Sequence, residues 1–159
     1  MKRNNKVIQL TKILVPTDFS KESKKAIGYA QAFARQFGAA ITLLHVVEVE
    51  NCPTDFGYGP VMIQVSSKEK LKKAKLKLDG LGRQLISKEL LDKTLAVSGV
   101  AYVEIIEAAQ ALEIDLIILG THGDDREEQT PMGSTAERVV RHAHCPVFVV
   151  RSKEHEFVL

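Results

Sequence analysis

Gly120-Thr121-His122-Gly123, followed by nine residues and then Gly133-Ser134, is the stretch of this 159-residue chain best suited to holding an anion. Glycines let a backbone come close to a bulky anion and turn its N–H groups toward it. Gly133 and Ser134 stand where a helix should begin, and free N–H groups and the helix dipole favour negative charge there. Two such elements on one loop are what a di- or triphosphate requires. The same composition also serves as a plain glycine-containing connection, and the residues alone leave both readings open. Neither G-x-x-x-x-G-K-[ST] nor G-x-G-x-x-G after the first strand occurs, so neither a P-loop NTPase nor a dinucleotide dehydrogenase is supported.

Other reactive side chains read more plainly. His45 lies in an apolar stretch and reads as a hydrogen-bonded strand residue rather than a catalyst. His142, His144 and Cys145 match no closed zinc spacing and lack an evident fourth ligand. Cys145, before Pro146, reads as a small packing residue, and Ser20 as a helix cap rather than a nucleophile. No Ser-His-Asp or Cys-His set assembles from sequence neighbours.

The elements that must position the glycine loop follow from periodicity. Ile13-Leu14-Val15, ended by Pro16, suits a buried strand. Ser20 caps a helix whose core face is Ala26, Ile27, Ala30, Phe33, Ala34 and Phe37, and Gly38 ends it. Ile41 to Val47 reads as a strand buried on both faces, and Asn51 to Pro60 as a flexible connection. A long helix is expected from Ser67 to Leu90 with Leu71, Ala74, Leu78, Leu81 and Leu85 on one face. Gly80 and Gly82 cost that helix about 1 kcal/mol each relative to alanine. A third strand is expected over Thr94 to Ser98, with Gly99 as its turn, and a helix marked by Val103, Ile106, Ala109 and Ala111-Leu112. Asp115 to Leu119 is the clearest strand and runs into Gly120. Ser134 to His142 follows as a helix with Ala136, Val139 and Val140 inward, then the strand Val147 to Val150.

Strand-helix repeated four times, then a strand, predicts an α/β fold: an open five-stranded parallel sheet with helices on both faces. Ligands of such sheets sit at the carboxyl ends of the strands, which selects the loops after Val15, Val47 and Leu119. With 45% hydrophobic and 26% charged residues and a formal charge of +2, the chain reads as a single soluble domain over residues 1–159, its core about 11–151. Lys68, Lys70, Lys72, Lys73, Lys75 and Lys77 read as a solvated helix face, with no nucleic acid as partner. Two cysteines, no signal peptide and no apolar run near the ~20 residues of a membrane span point to a cytoplasmic protein without a membrane partner.

Lys12 to Ser20, Leu43 to Val47, Asp115 to Gly123 and Gly133 to Val147, taken together in that order, resemble the universal stress protein family. Lys12-Ile-Leu-Val-Pro-Thr-Asp18-Phe-Ser20 looks like its opening strand and loop, and Leu43-Leu-His-Val46-Val47 its second strand. Asp115-Leu-Ile-Ile-Leu-Gly-Thr-His-Gly123 and the run Gly133 to Val147 are similar to its nucleotide loop and final helix-strand. The resemblance implies a Rossmann-like fold of the adenine nucleotide alpha-hydrolase-like kind that binds ATP, with Mg²⁺ held through the phosphates. It implies that Asp18 accepts from the ribose hydroxyls, with Pro16 and Thr17 lining the pocket and the Val46 backbone reading the adenine edge. Gly120, His122 and Gly123 would then flank the ribose and α-phosphate, and Gly133, Ser134 and Thr135 would hold the outer phosphates. A homodimer through the last strand is implied as well.

The chain departs from the family pattern at Asp124-Asp125-Arg126-Glu127-Glu128 and at Thr130-Pro131-Met132. Carboxylates facing a triphosphate repel it, unless a divalent cation takes both sets of oxygens or the segment is solvated. Three functions therefore stand beside one another. They are a nucleotide-occupied stress sensor or regulator, a slow ATPase, and an interaction module with an unknown protein partner that keeps the fold without the nucleotide.

Overall fold

The computed structural model describes residues 7–65, 67–121, 132–155 and 157–158. Chain order is β1 (Lys12–Pro16), α1 (Lys21–Phe37), β2 (Ala40–Glu48), β3 (Glu50–Asp55), β4 (Pro60–Val65), α2 (Lys68–Leu85), β5 (Leu91–Gly99), α3 (Ala101–Ala111), β6 (Leu116–Gly120), α4 (Ser134–His142) and β7 (Val147–Val150). Five strands form one parallel sheet in the order β5-β2-β1-β6-β7. The chain runs outward from β1 through β2 to β5, then restarts on the other side with β6 and β7. The order therefore reverses between β1 and β6.

Alternation along the strands divides the core. Ile13, Val15, Ile41, Leu43 and Ile118 pack with the inner faces of α1 and α2. Leu14, Leu44, Ile117 and Leu119 pack with Ile105 and Ala109 of α3 and Ala136 and Val139 of α4. Strands buried on both sides are why these segments read as continuous apolar runs. Each fully buried aliphatic side chain contributes roughly 1.5–3 kcal/mol. The α1 boundaries are those expected: the Ser20 hydroxyl accepts from the Ser23 N–H (3.2 Å), and Gly38 stops the helix at φ 72°.

Several expectations are corrected. The segment Asn51 to Pro60 is not a plain connection, because β3 and β4 pair antiparallel as a hairpin with Gly57 and Gly59 in its turn. Phe56, Tyr58, Val61 and Met62 of this hairpin are exposed, so these apolar residues do not alternate between core and solvent. Helix α2 ends at Leu85, not Leu90, where Gln31 of α1 donates to the Leu85 carbonyl (2.7 Å) and accepts from the Ser87 N–H (3.3 Å). Gly82 is there for contact: a Cβ would come within 3.0 Å of Leu91 Cδ2, so α2 lies directly on β5. Strand β5 starts at Leu91 rather than Thr94, extended by pairing with β2 through a register shift. In α4, Val140 is exposed, and Ala136 and Val139 carry the inward face alone. In α3 the fully buried positions are Ile105 and Ala109, while Ile106 is half-buried.

At the amino ends of the central strands, Asp115 ties β6 to β1. Its Oδ2 accepts from the Thr11 N–H (2.8 Å), the Thr11 hydroxyl (2.7 Å) and the Lys12 N–H (2.9 Å). Desolvation pushes its pKa up, but these bonds and the Lys12 charge outweigh that and hold the carboxyl below its ordinary value. A lowered folded-state pKa adds stability above the unfolded value of about 3.9 and loses it as pH falls through the folded one. Asp115→Asn should therefore reduce stability at pH 7 by roughly 1 kcal/mol in urea denaturation, the solvent access of the site discounting the bonds. The gap between variant and wild type should shrink below about pH 4; a gap independent of pH would contradict this account.

Candidate functional site

The cavity at the carboxyl ends of the strands begins with a missing donor. The Thr17 N–H bonds the Leu44 carbonyl (2.8 Å), so Thr17 faces β2, and by alternation Pro16 faces β6. Proline has no N–H, and β1–β6 pairing stops at Leu14↔Ile117. Strand β6 nevertheless continues to Gly120 beside β7, and β2 continues to Glu48 beside β5. Both neighbours outrun β1, and the gap above Pro16 opens into a cavity of about 360 Å³.

Its walls come from four places: Pro16, Thr17, Asp18 and Ser23 after β1; Leu44, Val46 and Glu48 on β2; Ala101 and Ile105 of α3; and Leu119 to Thr121 with Gly133 to Ala136 around the glycine loop. Eight of the ten residues singled out from sequence thus line one cavity: Pro16, Thr17, Asp18, Val46, Gly120, Gly133, Ser134 and Thr135. His122, Gly123 and the acidic segment Asp124 to Glu128 lie outside the described residues.

The turn after β1 is held by short-range bonds. The buried Thr17 hydroxyl pairs with that of Ser23 (2.8 Å) and accepts from the Phe19 N–H (3.0 Å). Phe19 itself sits at φ 70°, a conformation rare for a bulky residue. His45 and Lys77 pin it: the His45 ring lies 4.5 Å from the Phe19 ring, and the Lys77 ammonium lies 4.1 Å from its centroid. His45 Nδ1 is hydrogen-bonded to the Thr17 carbonyl (2.7 Å), which matches its reading as a structural strand residue. Asp18 is exposed at the rim, with Oδ1 accepting from the Ser20 N–H (3.0 Å).

Val46 offers backbone rather than side chain. Leu44 faces β1, so Val46 does too, but β1 has ended. Its N–H and C=O therefore point to the open side, one donor and one acceptor on a fixed edge. Across the cavity stand the amino ends of α3 and α4. Serine hydroxyls cap α1 and α2, whereas α3 and α4 begin without a side-chain cap. Helix amino ends of this kind favour anions.

The glycine loop is closed at its base. Thr121 donates its N–H to the Val150 carbonyl (2.9 Å), and its own carbonyl accepts from the Gly133 N–H (2.8 Å). Gly120 has a packing reason besides any ligand: a Cβ there would come within 3.0 Å of Glu22 Cβ and 3.1 Å of the Glu22 backbone carbon. Among the polar lining residues, sequence reasoning missed Ser23 and Glu48, and it took Thr121 only as part of the glycine loop. Glu48 was accessible to it, two residues beyond Val46 and so on the same face of β2.

Other candidates do not join the site. His142 and His144 are exposed, and among the described residues no group of three His, Cys, Asp or Glu could hold a metal ion. Cys145 packs against the α3/α4 core, and burial pushes its thiol pKa up, as suits a packing residue. No helix among the described residues is long and apolar enough to cross a membrane.

Comparison with known proteins converges with this geometry. Residues 9–151 match the family model described as Universal stress protein family. The chain belongs to the universal stress protein family. Universal stress protein MJ0531 of Methanocaldococcus jannaschii is 35% identical over 150 residues, spanning 91% of this chain and 84% of the relative. Among solved structures, universal stress protein UspA from Lactobacillus plantarum superposes with a TM-score of 0.69 at 28% identity, over 91% of this chain and 100% of that one. Two universal stress proteins solved with nucleotides share the fold. One, in complex with cAMP, has a TM-score of 0.65 at 18% identity over 92% of this chain and 100% of its own. The other, from Archaeoglobus fulgidus with dAMP, has a TM-score of 0.63 at 19% identity over 90% and 99%.

In this universal stress protein the helix backbone against Gly120 cannot yield as a side chain could. Gly120→Ala should therefore cost about 1–3 kcal/mol and lower the melting temperature by several degrees. An unchanged melting temperature would mean that the first turn of α1 shifts freely.

Proposed function

We propose that the cavity binds ATP or a related adenine nucleotide, and that the protein acts as a cytoplasmic stress-response sensor or regulator through nucleotide occupancy and dimerisation. The observation that carries this reading is the pairing of the open Val46 backbone edge with the amino end of α4, whose N-cap is the side-chain-less Gly133, across one cavity. An adenine edge presents one acceptor and one donor, which complements an N–H and C=O in sequence. Phosphate oxygens suit the amino end of a helix, where the dipole favours negative charge. Neighbours of the same fold in complex with cAMP and dAMP add weight to adenine as the base.

On this reading Pro16 and Thr17 wall the pocket, and Asp18 accepts from the ribose hydroxyls. Gly120, His122 and Gly123 flank the ribose and α-phosphate, while Gly133, Ser134 and Thr135 hold the outer phosphates. The ionisable residues lining the cavity among those described, Asp18 and Glu48, are both acidic. Without a lysine or arginine there, Mg²⁺ on the phosphates supplies the compensating charge.

Titration calorimetry should find micromolar or tighter ATP binding, stronger with Mg²⁺. Asp18→Ala should weaken it by about tenfold or more through loss of charge-assisted bonds to the ribose. Absence of binding with and without Mg²⁺ would overturn the reading and favour an interaction module.

The dimer would form along β7, at the edge of the sheet. Because the Val150 carbonyl faces β6, Val147 and Val149 turn their backbone groups outward, an edge that needs covering. Val149→Pro removes an outward N–H while sparing the β6 ladder. Light scattering should then give a dimeric wild type and a folded, monomeric variant; a dimeric variant would place the interface elsewhere.

A further inference from the structure

Strand β2 carries more than Val46 past the end of β1. Its side chains alternate, so Leu44, Val46 and Glu48 line one stripe of the cavity. Leu44 and Val46 pack on the α3/α4 core, and Glu48 is exposed at the mouth. Along the strand the N–H of Val46 precedes its C=O, so the acceptor half of the open edge lies toward Glu48. A base on this edge sets a ring nitrogen on the N–H and a donor on the C=O, and in adenine that donor is the exocyclic amino group. That amino group has a second N–H, directed to the Glu48 side. The other acidic residue of the lining, Asp18, sits at the end of β1 and already accepts from the Ser20 N–H.

We propose that Glu48 is a specificity-determining residue, its carboxylate accepting from the amino group of the base and opposing a base with a carbonyl oxygen there. The inference rests on the nucleotide reading above. Two acceptors face to face share no proton, so the penalty falls on the wrong base, while the right one meets a charged acceptor. Being exposed, Glu48 meets the base without burial of an unpaired charge.

The test uses ATP and ITP, which differ by an amino group against a carbonyl at that ring position, titrated with Mg²⁺ into the full chain and into Glu48→Gln. The Val46 edge discriminates between them in both proteins, so the decisive quantity is the change in the ATP:ITP affinity ratio. The glutamine amide can donate to the ITP carbonyl. The ratio should therefore fall about fivefold or more in Glu48→Gln, with ATP weaker and ITP tighter. Equal tightening of both would show that Glu48 acts only as a charge against the phosphates, which overturns the proposal and leaves the nucleotide reading intact. An unchanged ratio overturns it likewise. Binding of neither nucleotide by the wild type would overturn the nucleotide reading and this inference with it.

Discussion

At the carboxyl end of β1 the ladder to β6 lacks its next donor, because the residue in that place is Pro16. A strand that cannot donate cannot hold its neighbour, so β1 and β6 part where the sheet changes direction. On the other side β2 keeps one last bond, from Thr17 to Leu44, and then runs on without a partner on that edge. The cavity, the open edge of Val46 and the placing of Glu48 all follow from that early ending. A chain of local bonds through Thr17, Ser23, Asp18 and Ser20 then turns the backbone into α1 without closing the gap.

The opposite end of the sheet is tied. Asp115 gathers three donors from the start of β1, and aliphatic packing on both faces holds the five strands between these ends. A sheet clamped at its amino ends and parted at its carboxyl ends keeps an opening without weakening its core. The same division appears in the helices. Those with serine caps, α1 and α2, lie on one face; those beginning without a side-chain cap, α3 and α4, flank the cavity on the other. Side-chain capping thus divides the helices by face: serine hydroxyls cap α1 and α2, and neither Val100 nor Gly133 supplies a side-chain cap to α3 or α4.

Two reactive side chains near the described part of the site already have structural partners. His45 is held by the Thr17 carbonyl and Phe19, and the Ser20 hydroxyl is engaged as a cap. The lining offers backbone edges, hydroxyls and two carboxylates, groups that position a ligand and tell it from others.

Residue order by itself determined the parallel α/β architecture, the ends of α1, the glycine-spaced loop and half of the residues that line the pocket. Those features are local or periodic: apolar runs, a serine cap, a glycine stop, and motif spacing carried by four stretches in order. The hairpin of β3 and β4 was illegible because Val61, Met62 and Ile63 are all exposed and show no alternation of buried and exposed positions. The outward turn of Val140 and the end of α2 at Leu85 depend on which neighbour is met, through Val139 in one case and Gln31 in the other. Only the tertiary structure could show that Gly120 makes room for the α1 backbone, that Pro16 parts two strands, or that Glu48 stands beside an open edge. Each of these depends on register between segments distant in sequence, and register is set by the packing of the whole sheet rather than by any one stretch.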